Sequence, residues 1–211
     1  MLLNTLNKIC YNTYKLSLSS GFKPIKLFAD PDNIRAWPGG VGNVKVGGNY
    51  GSTILPSREA LTAHDCSQVL WLFGADHQIT EVGAMNIFFV FKLPDGGKEL
   101  ITAPLTRGDI LPGVTRSSVL ELAKGLTGEE KLTVSERWIT MKEVMQAEED
   151  GRLLESFGAG TAVVVAPVKS IMYLGKEIKC ISEAGPVAKL MLQRLADIQY
   201  GRVESPWSIP C

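Results

Sequence analysis

The chain has 211 residues, 45% hydrophobic and 21% charged, the profile of a folded globular protein rather than a disordered or fibrous one. Twenty-two Lys and Arg balance twenty-two Asp and Glu, so no overall field draws it toward nucleic acid or an anionic membrane surface. Four scattered cysteines, Cys10, Cys66, Cys180 and Cys211, form no CxxC, and only His64 and His77 stand beside them, which argues against a structural zinc or a disulfide framework and fits a reducing compartment.

Residues 1–20 carry Lys8 and Lys15 without an acid, with Leu2, Leu6 and Ile9 at helical spacing, but lack Arg and a secretory apolar block. They read as a leader, either a mitochondrial presequence or a frayed, non-native segment. From Gly21 onward the chain is expected to be one unit, with no repeat or long polar linker and no apolar run near the roughly 20 residues a membrane span needs.

The densest glycine cluster, Trp37 to Gly51 (WPGGVGNVKVGGNYG), holds one lysine, Lys45, between Val44 and Val46. A solvated loop lysine is the plain reading; the functional one is a nucleophilic amine whose charged form apolar neighbours disfavour, on a backbone that lets a flat ligand approach closely. Strands are predicted over Gln68–Phe73, Ile79–Val82, Asn86–Leu93 and Glu99–Thr102, with a hairpin turn at Pro94-Asp95-Gly96-Gly97. Glu81 lies within an otherwise apolar strand: it is either outward and solvated, or inward and in need of a cationic partner to stay ionised.

LPGVTR (residues 111–116) leads into a predicted helix, Thr115–Lys124, whose start offers either a Thr115 cap or a phosphate-sized anion site. Another helix is expected over Met141–Glu149, with Thr140 and Glu143 at capping-box spacing. FGAGTA (157–162) precedes a predicted strand, Ala162–Val165, and is either a tight strand entry or a set of amides plus the Thr161 hydroxyl for an anion. A short strand, Ile171–Tyr173, and a last helix, Pro186–Tyr200, with Val187, Leu190, Met191, Leu195 and Ile198 on one face, complete a mixed α/β pattern. No GxxxxGK[ST] occurs, and Gly40-x-Gly42 and Gly158-x-Gly160 lack the third glycine of a dinucleotide fingerprint. One cofactor would use the remaining features together: pyridoxal 5'-phosphate needs a Schiff-base lysine, an acidic partner for its ring nitrogen and a phosphate cup at a helix start.

RAWPGGVGNVKVGGNYG, QVLWLFGADHQITEVGAMNIF, LPGVTR, FGAGTA and DIQYG, in this order, closely resemble the branched-chain amino acid aminotransferases, of fold type IV among pyridoxal-phosphate enzymes. The resemblance covers about Gly21 to the C-terminus. It implies a mixed sheet partly closed into a pseudo-barrel with flanking helices, residues 21–211 forming the cofactor-binding large domain, and 1–20 a leader that does not match. It implies covalent cofactor attachment at Lys45, a hydrogen bond from Tyr50 to the cofactor's phenolic oxygen, and Glu81 against the ring nitrogen. By the same resemblance Val114 and Thr115 cradle the phosphate by backbone, Thr161 bonds it by side chain, and Ala84 and Ala162 border the substrate.

The activity implied is transamination of leucine, isoleucine and valine with 2-oxoglutarate, giving branched-chain 2-oxo acids and glutamate. The setting implied is cytoplasmic or mitochondrial rather than secreted, without nucleic acid or membrane partners. This chain departs from the family at Ala84, where a threonine is frequent, and at Val163–Ala166, where vertebrate members carry a redox CxxC. The small N-terminal domain of the family is also missing from the matched region. A homodimer is expected if that domain is present; without it, the alternative is a truncated, weakly active or inactive isoform that partners the full-length enzyme. Lyase chemistry or D-amino acid transfer on the same scaffold ranks below both, because the EVG and RAWPGG contexts are of the branched-chain kind.

Overall fold

The computed structural model describes Ile9–Cys10, residues 22–180 and residues 183–209. The strands are β1 (Ile9–Cys10), β2 (Ile25–Asp30), β3 (Gln68–Phe73), β4 (Gln78–Val82), β5 (Met85–Lys92), β6 (Lys98–Thr102), β7 (Thr133–Glu136), β8 (Leu153–Gly160), β9 (Val164–Tyr173), β10 (Lys176–Lys179) and β11 (Ser208–Ile209). The helices are α1 (Gly47–Gly51), α2 (Ile54–His64), α3 (Val114–Lys124), α4 (Met141–Glu149) and α5 (Pro186–Gln199).

Closure of the sheet follows from β5. One of its edges pairs with β8 over Asn86–Phe91; the other meets β4 at Met85–Asn86 and then β6 from Phe88 onward. Since β8 pairs with β9, β9 with β2, β2 with β3 and β3 with β4, six strands form a closed ring, β2-β3-β4-β5-β8-β9, which leaves no free edge within it. The joints β2–β3 and β2–β9 are parallel and the rest of the ring antiparallel. The implied pseudo-barrel is thus present, with β10 extending β9, and β6–β7 extending β5.

The MNIFFVFK run is buried along nearly all of β5 because both of its faces are covered. Ile87, Phe89 and Phe91 share one cluster with Leu27, Leu70, Leu72 and Ile171, against which Met141 and Val144 of α4 pack. Phe88 and Val90 point the other way, where Val119 and Leu120 of α3 and Val187, Met191 and Leu195 of α5 cover them. Phe88 stacks on Phe157 with ring centroids 5.2 Å apart.

The predicted strands of residues 68–102 appear as β3–β6, with four of their eight ends shifted by one residue, and Gly96 takes φ +86° in the expected turn. Thr140 caps α4 by accepting from the Glu143 N–H at 3.2 Å, but the Glu143 carboxylate turns to Arg137 at 2.7 Å instead of closing the capping box. Two expectations change. Ala162–Val165 and Ile171–Tyr173 are not separate strands: β9 runs unbroken from Val164 through Pro167, and Ala162 belongs to the turn before it. β8 was absent from the predicted elements because Glu155, Gly158 and Gly160 spoil its pattern, yet both glycines are dictated by packing, since a Cβ at either would lie 3.0 Å or less from the Met85 side chain. Of the expected leader, Ile9–Cys10 pairs in parallel with Ser208–Ile209; Leu2, Leu6, Lys8 and Lys15 lie outside the described residues.

Glu155 ties β8 to α5. Its buried carboxylate accepts from the amides of Val187 (2.9 Å) and Ala188 (3.0 Å), doing for the start of α5 what Gly185 has no side chain to do. A Cβ at position 185 would stand 2.1 Å from that carboxylate, so glycine is required there. Truncation by Glu155→Ala strands two buried N–H groups and should cost about 2–3 kcal/mol, read as a lower urea midpoint at neutral pH, with Glu155→Gln falling in between.

Candidate functional site

Glu81 sits in β4 directly across from Asn86 in β5 and is 3% exposed. Of the two readings of a strand glutamate, the inward one holds, and the cation it needs is Arg35. Glu81 Oε2 is 2.9 Å from Arg35 Nε, and Oε1 accepts from the Leu111 N–H at 2.6 Å. Burial pushes the Glu81 carboxyl up to about 7; Arg35 and the Leu111 amide pull it down, Asp109 pushes it up, and Lys45 pulls it down more weakly. Lys45 therefore lies within electrostatic reach of Glu81.

The loop carrying Lys45 is fixed from below. Gly42 packs so tightly that a Cβ would come within 2.6 Å of the Ala36 side chain and 2.7 Å of the Asp109 backbone. Arg35 Nη2 donates to the carbonyls of Gly42 and Asp109, both at 3.1 Å. Further along, buried Asn49 donates from Nδ2 to the carbonyls of Val41 (2.7 Å) and Val44 (2.9 Å), fastening the turn just before Lys45 to α1. From above the loop is open. Lys45 is exposed, and so are Trp37 (57%) and Val44 (45%), so of the two readings its exposure is that of a solvated loop lysine, and the neighbouring valines do not bury the amine. Tyr50 is half-buried on α1, one helical turn beyond.

α3 starts at Val114 with Gly113 as its N-cap and no side-chain cap, so Thr115 lies inside the first turn rather than capping it. Asn86 explains the glycine: its Nδ2 donates to the Leu111 carbonyl at 2.9 Å, and its Oδ1 would be 2.2 Å from a Cβ at 113. The first-turn amides of α3, at the positive end of its dipole, thus start from a segment anchored to the same two strands as Glu81.

The remaining candidates stand on turns at the same end of β5. Val82 pairs with Met85 around the turn bearing Ala84, and Ala159 pairs with Asn86 just before the β8–β9 turn bearing Thr161 and Ala162; all three are exposed. Met85, packed against Gly158 and Gly160, joins the two turns. Arg35, Asn49, Asn86 and Asp109 did not emerge from the sequence as site residues. Arg35 falls within RAWPGG, but nothing in an isolated arginine reveals which carboxylate it meets.

A barrel whose outer loops bring a lysine, a buried acid and a helix start to one end is the arrangement of one class of enzymes. Residues 14–171 match the amino-transferase class IV family, and the chain belongs to it. It is 52% identical over 193 residues to a cytosolic branched-chain-amino-acid aminotransferase of Mus musculus, covering 90% of this chain and 49% of that protein. It is 48% identical over 197 residues to a mitochondrial one of Schizosaccharomyces pombe, covering 91% and 46%. Among solved structures it resembles the branched-chain amino acid aminotransferase from Thermobaculum terrenum in its PLP-form, with a TM-score of 0.66 and 26% identity over 87% of this chain and 53% of that one. The chain spans about half the length of the curated relatives it matches.

The raised Glu81 carboxyl links stability to pH. Between its ordinary value of 4.5 and about 7 the folded state keeps a proton that the unfolded state releases, so stability falls as pH rises across that window and levels off above it. In chain free of any ligand, Glu81→Gln should remove this slope, by up to roughly 3 kcal/mol between pH 5 and 7.5. Denaturation midpoints of wild type and variant across that range check it, and parallel curves would refute the assignment.

Proposed function

We propose that residues 21–211 are the cofactor-binding large domain of a branched-chain amino acid aminotransferase, using pyridoxal 5'-phosphate to move the amino group of leucine, isoleucine or valine to 2-oxoglutarate. The observation that carries this reading is the buried Glu81, aligned by Arg35 and the Leu111 amide, beside a lysine loop held rigid by Gly42 and Asn49. These donors fit the cofactor: a pinned carboxylate for its ring nitrogen, an accessible primary amine for its aldehyde, and an uncapped helix start for its phosphate. When bound, the cofactor supplies an aldehyde that captures amino groups and a ring that spreads negative charge away from the substrate Cα.

In this reading Lys45 would hold the cofactor through its aldehyde, and its amine, once free, would serve as the base that carries the substrate Cα proton. Glu81 accepts a hydrogen bond from the protonated ring nitrogen, and Arg35 keeps it ionised in that role. The amides of Val114 and Thr115 hold the phosphate together with the Thr161 hydroxyl, Tyr50 donates to the phenolic oxygen, and Ala84 and Ala162 border the substrate. Asn86 acts at one remove, by fixing the Leu111–Gly113 entry to α3.

Ile34, Trp37, Val41 and Val44, in the segment leading to Lys45, are all exposed apolar side chains. We place there the remainder of the two-domain protein, whose cover excludes water from the amine, and we assign the whole protein to a homodimer. Its compartment is the cytosol or the mitochondrion, as for the named relatives; none of the described helices is long and apolar enough to cross a membrane.

Titration of the purified chain with pyridoxal 5'-phosphate should produce an absorption band in the near-ultraviolet or visible that borohydride fixes at residue 45. Lys45→Ala should abolish both the band and the pyridoxyl-labelled peptide, while Glu81→Ala should weaken binding at least tenfold. A folded, saturated Lys45→Ala chain that keeps the band overturns the assignment.

A further inference from the structure

Behind the Glu81–Arg35 pair lies a second pair of opposite charges. Asp109, its side chain fully buried, is gripped through Oδ2 by Arg107, from Nε at 2.8 Å and from Nη2 at 2.6 Å. Arg107 reaches the surface, 20% exposed, with its guanidinium stacked between the rings of Trp138 (3.8 Å) and Phe73 (4.5 Å) and donating to the Gln78 side chain. The Nε hydrogen bond, the close Nη2 ion-pair contact and those stacking faces leave Arg107 little freedom, so the carboxylate it holds is equally fixed.

Asp109 is also where the glycine loop docks. Its carbonyl accepts from Arg35 Nη2, and Gly42 lies flat against its backbone, so one residue touches both the cation that pairs with Glu81 and the loop that carries Lys45. Asp109 Oδ1 and Arg35 Nη1 are both buried, and neither has a hydrogen-bond partner among the described residues. The Asp109 charge is thus answered on one oxygen only, and its field extends toward Glu81.

We propose that Asp109, held by Arg107, is a positioning residue of this site: its backbone fixes Arg35 and the Lys45 loop against Glu81, and its carboxylate adds to the field at Glu81. The inference rests on the reading of Glu81 as the partner of the cofactor's ring nitrogen, and it extends the site from its contact residues to a surface arginine. The charged groups facing Glu81 are Arg35 from the segment after β2, Lys45 from the loop before α1 and Asp109 from the segment before α3; β5 contributes only the neutral Asn86. Two cations and one anion therefore set its ionisation, and Asp109 is the only one of the three that opposes it.

The test follows Glu81 in the chain without cofactor by carboxyl-carbon NMR of ¹³C-labelled glutamate, its signal assigned by its loss in Glu81→Gln. In wild type the midpoint is expected at about 7. Asp109→Asn keeps the shape and the backbone carbonyl but removes the charge, and should lower the midpoint by about one pH unit. A folded Asp109→Asn chain with an unmoved midpoint overturns the proposal. Should that variant not fold, Arg107→Lys keeps a cation but loses the Nε hydrogen bond and the stacking that hold it on Asp109, leaves Asp109 less neutralised, and should move the midpoint upward; no movement is again fatal. Because the measurement uses no cofactor, its failure is separate from a failure of the functional reading, which shows instead as a cofactor band surviving in Lys45→Ala.

Discussion

A carboxylate walled into a β-sheet is the demand around which the rest of this molecule is arranged. Glu81 is taken out of water, and the cost of that transfer is offset by two contacts, one with a buried guanidinium and one with a backbone amide. Each contact comes from a different segment, so satisfying a single charge fixes three stretches of chain to one another: residues 35–42, 81–86 and 109–113. Buried ion pairs of this kind seldom add much net stability, because Coulomb attraction roughly repays desolvation. What they do provide is registry. Arg35 cannot reach Glu81, Gly42 and Asp109 at once in any other arrangement, and Gly113 cannot lie on Asn86 unless the Leu111 carbonyl faces the Asn86 amide.

The barrel makes this registry possible because its ring is closed and β5 is shared by two sheets' worth of neighbours. A strand that pairs with β8 on one edge, and with β4 and then β6 on the other, has no freedom to slip, since a shift of one residue would turn Ile87, Phe89 and Phe91 out of the interior cluster. The first two residues of β5 inherit that rigidity. Met85 packs on Gly158 and Gly160, and Asn86 faces Glu81, so the turns bearing Ala84, Thr161 and Ala162 are set by the core rather than by their own short sequences.

Much of this was legible from residue order. The apolar runs of β3 to β6 declare themselves because strands covered on both faces need near-continuous aliphatic and aromatic side chains, and Thr140 announces a helix start by its own chemistry. β8 was not legible, because its glycines answer to a methionine far away in the chain and its glutamate to the start of α5. Glu81 was visible only as an ambiguity, which the fold resolves by supplying Arg35. Lys45 was likewise visible as an ambiguity: its exposure agrees with the plain reading of a solvated loop lysine, because adjacent residues on a loop do not necessarily pack on one another, and here valines and lysine are all exposed. Local pattern reports what a segment prefers, while the charge partners of a site are a property of distant segments brought together.

The two halves of the site differ in how complete they are. Its floor centres on Glu81, Arg35 and Asn86, which are buried, and is tied by hydrogen bonds to the Leu111 backbone at the entry to α3. Its roof side, with Lys45 and the apolar side chains around it, faces solvent. The two are electrically connected, since the Lys45 charge is felt at Glu81, but through a medium of high dielectric that keeps the coupling weak. A body that covers the apolar surface displaces that water and strengthens this coupling without moving either residue. Cover also makes the charged amine more costly at the same time as it strengthens every contact in the floor. On the proposed reading, the rigid floor and the exposed lysine are parts of one device, whose electrostatics exclusion of solvent would strengthen.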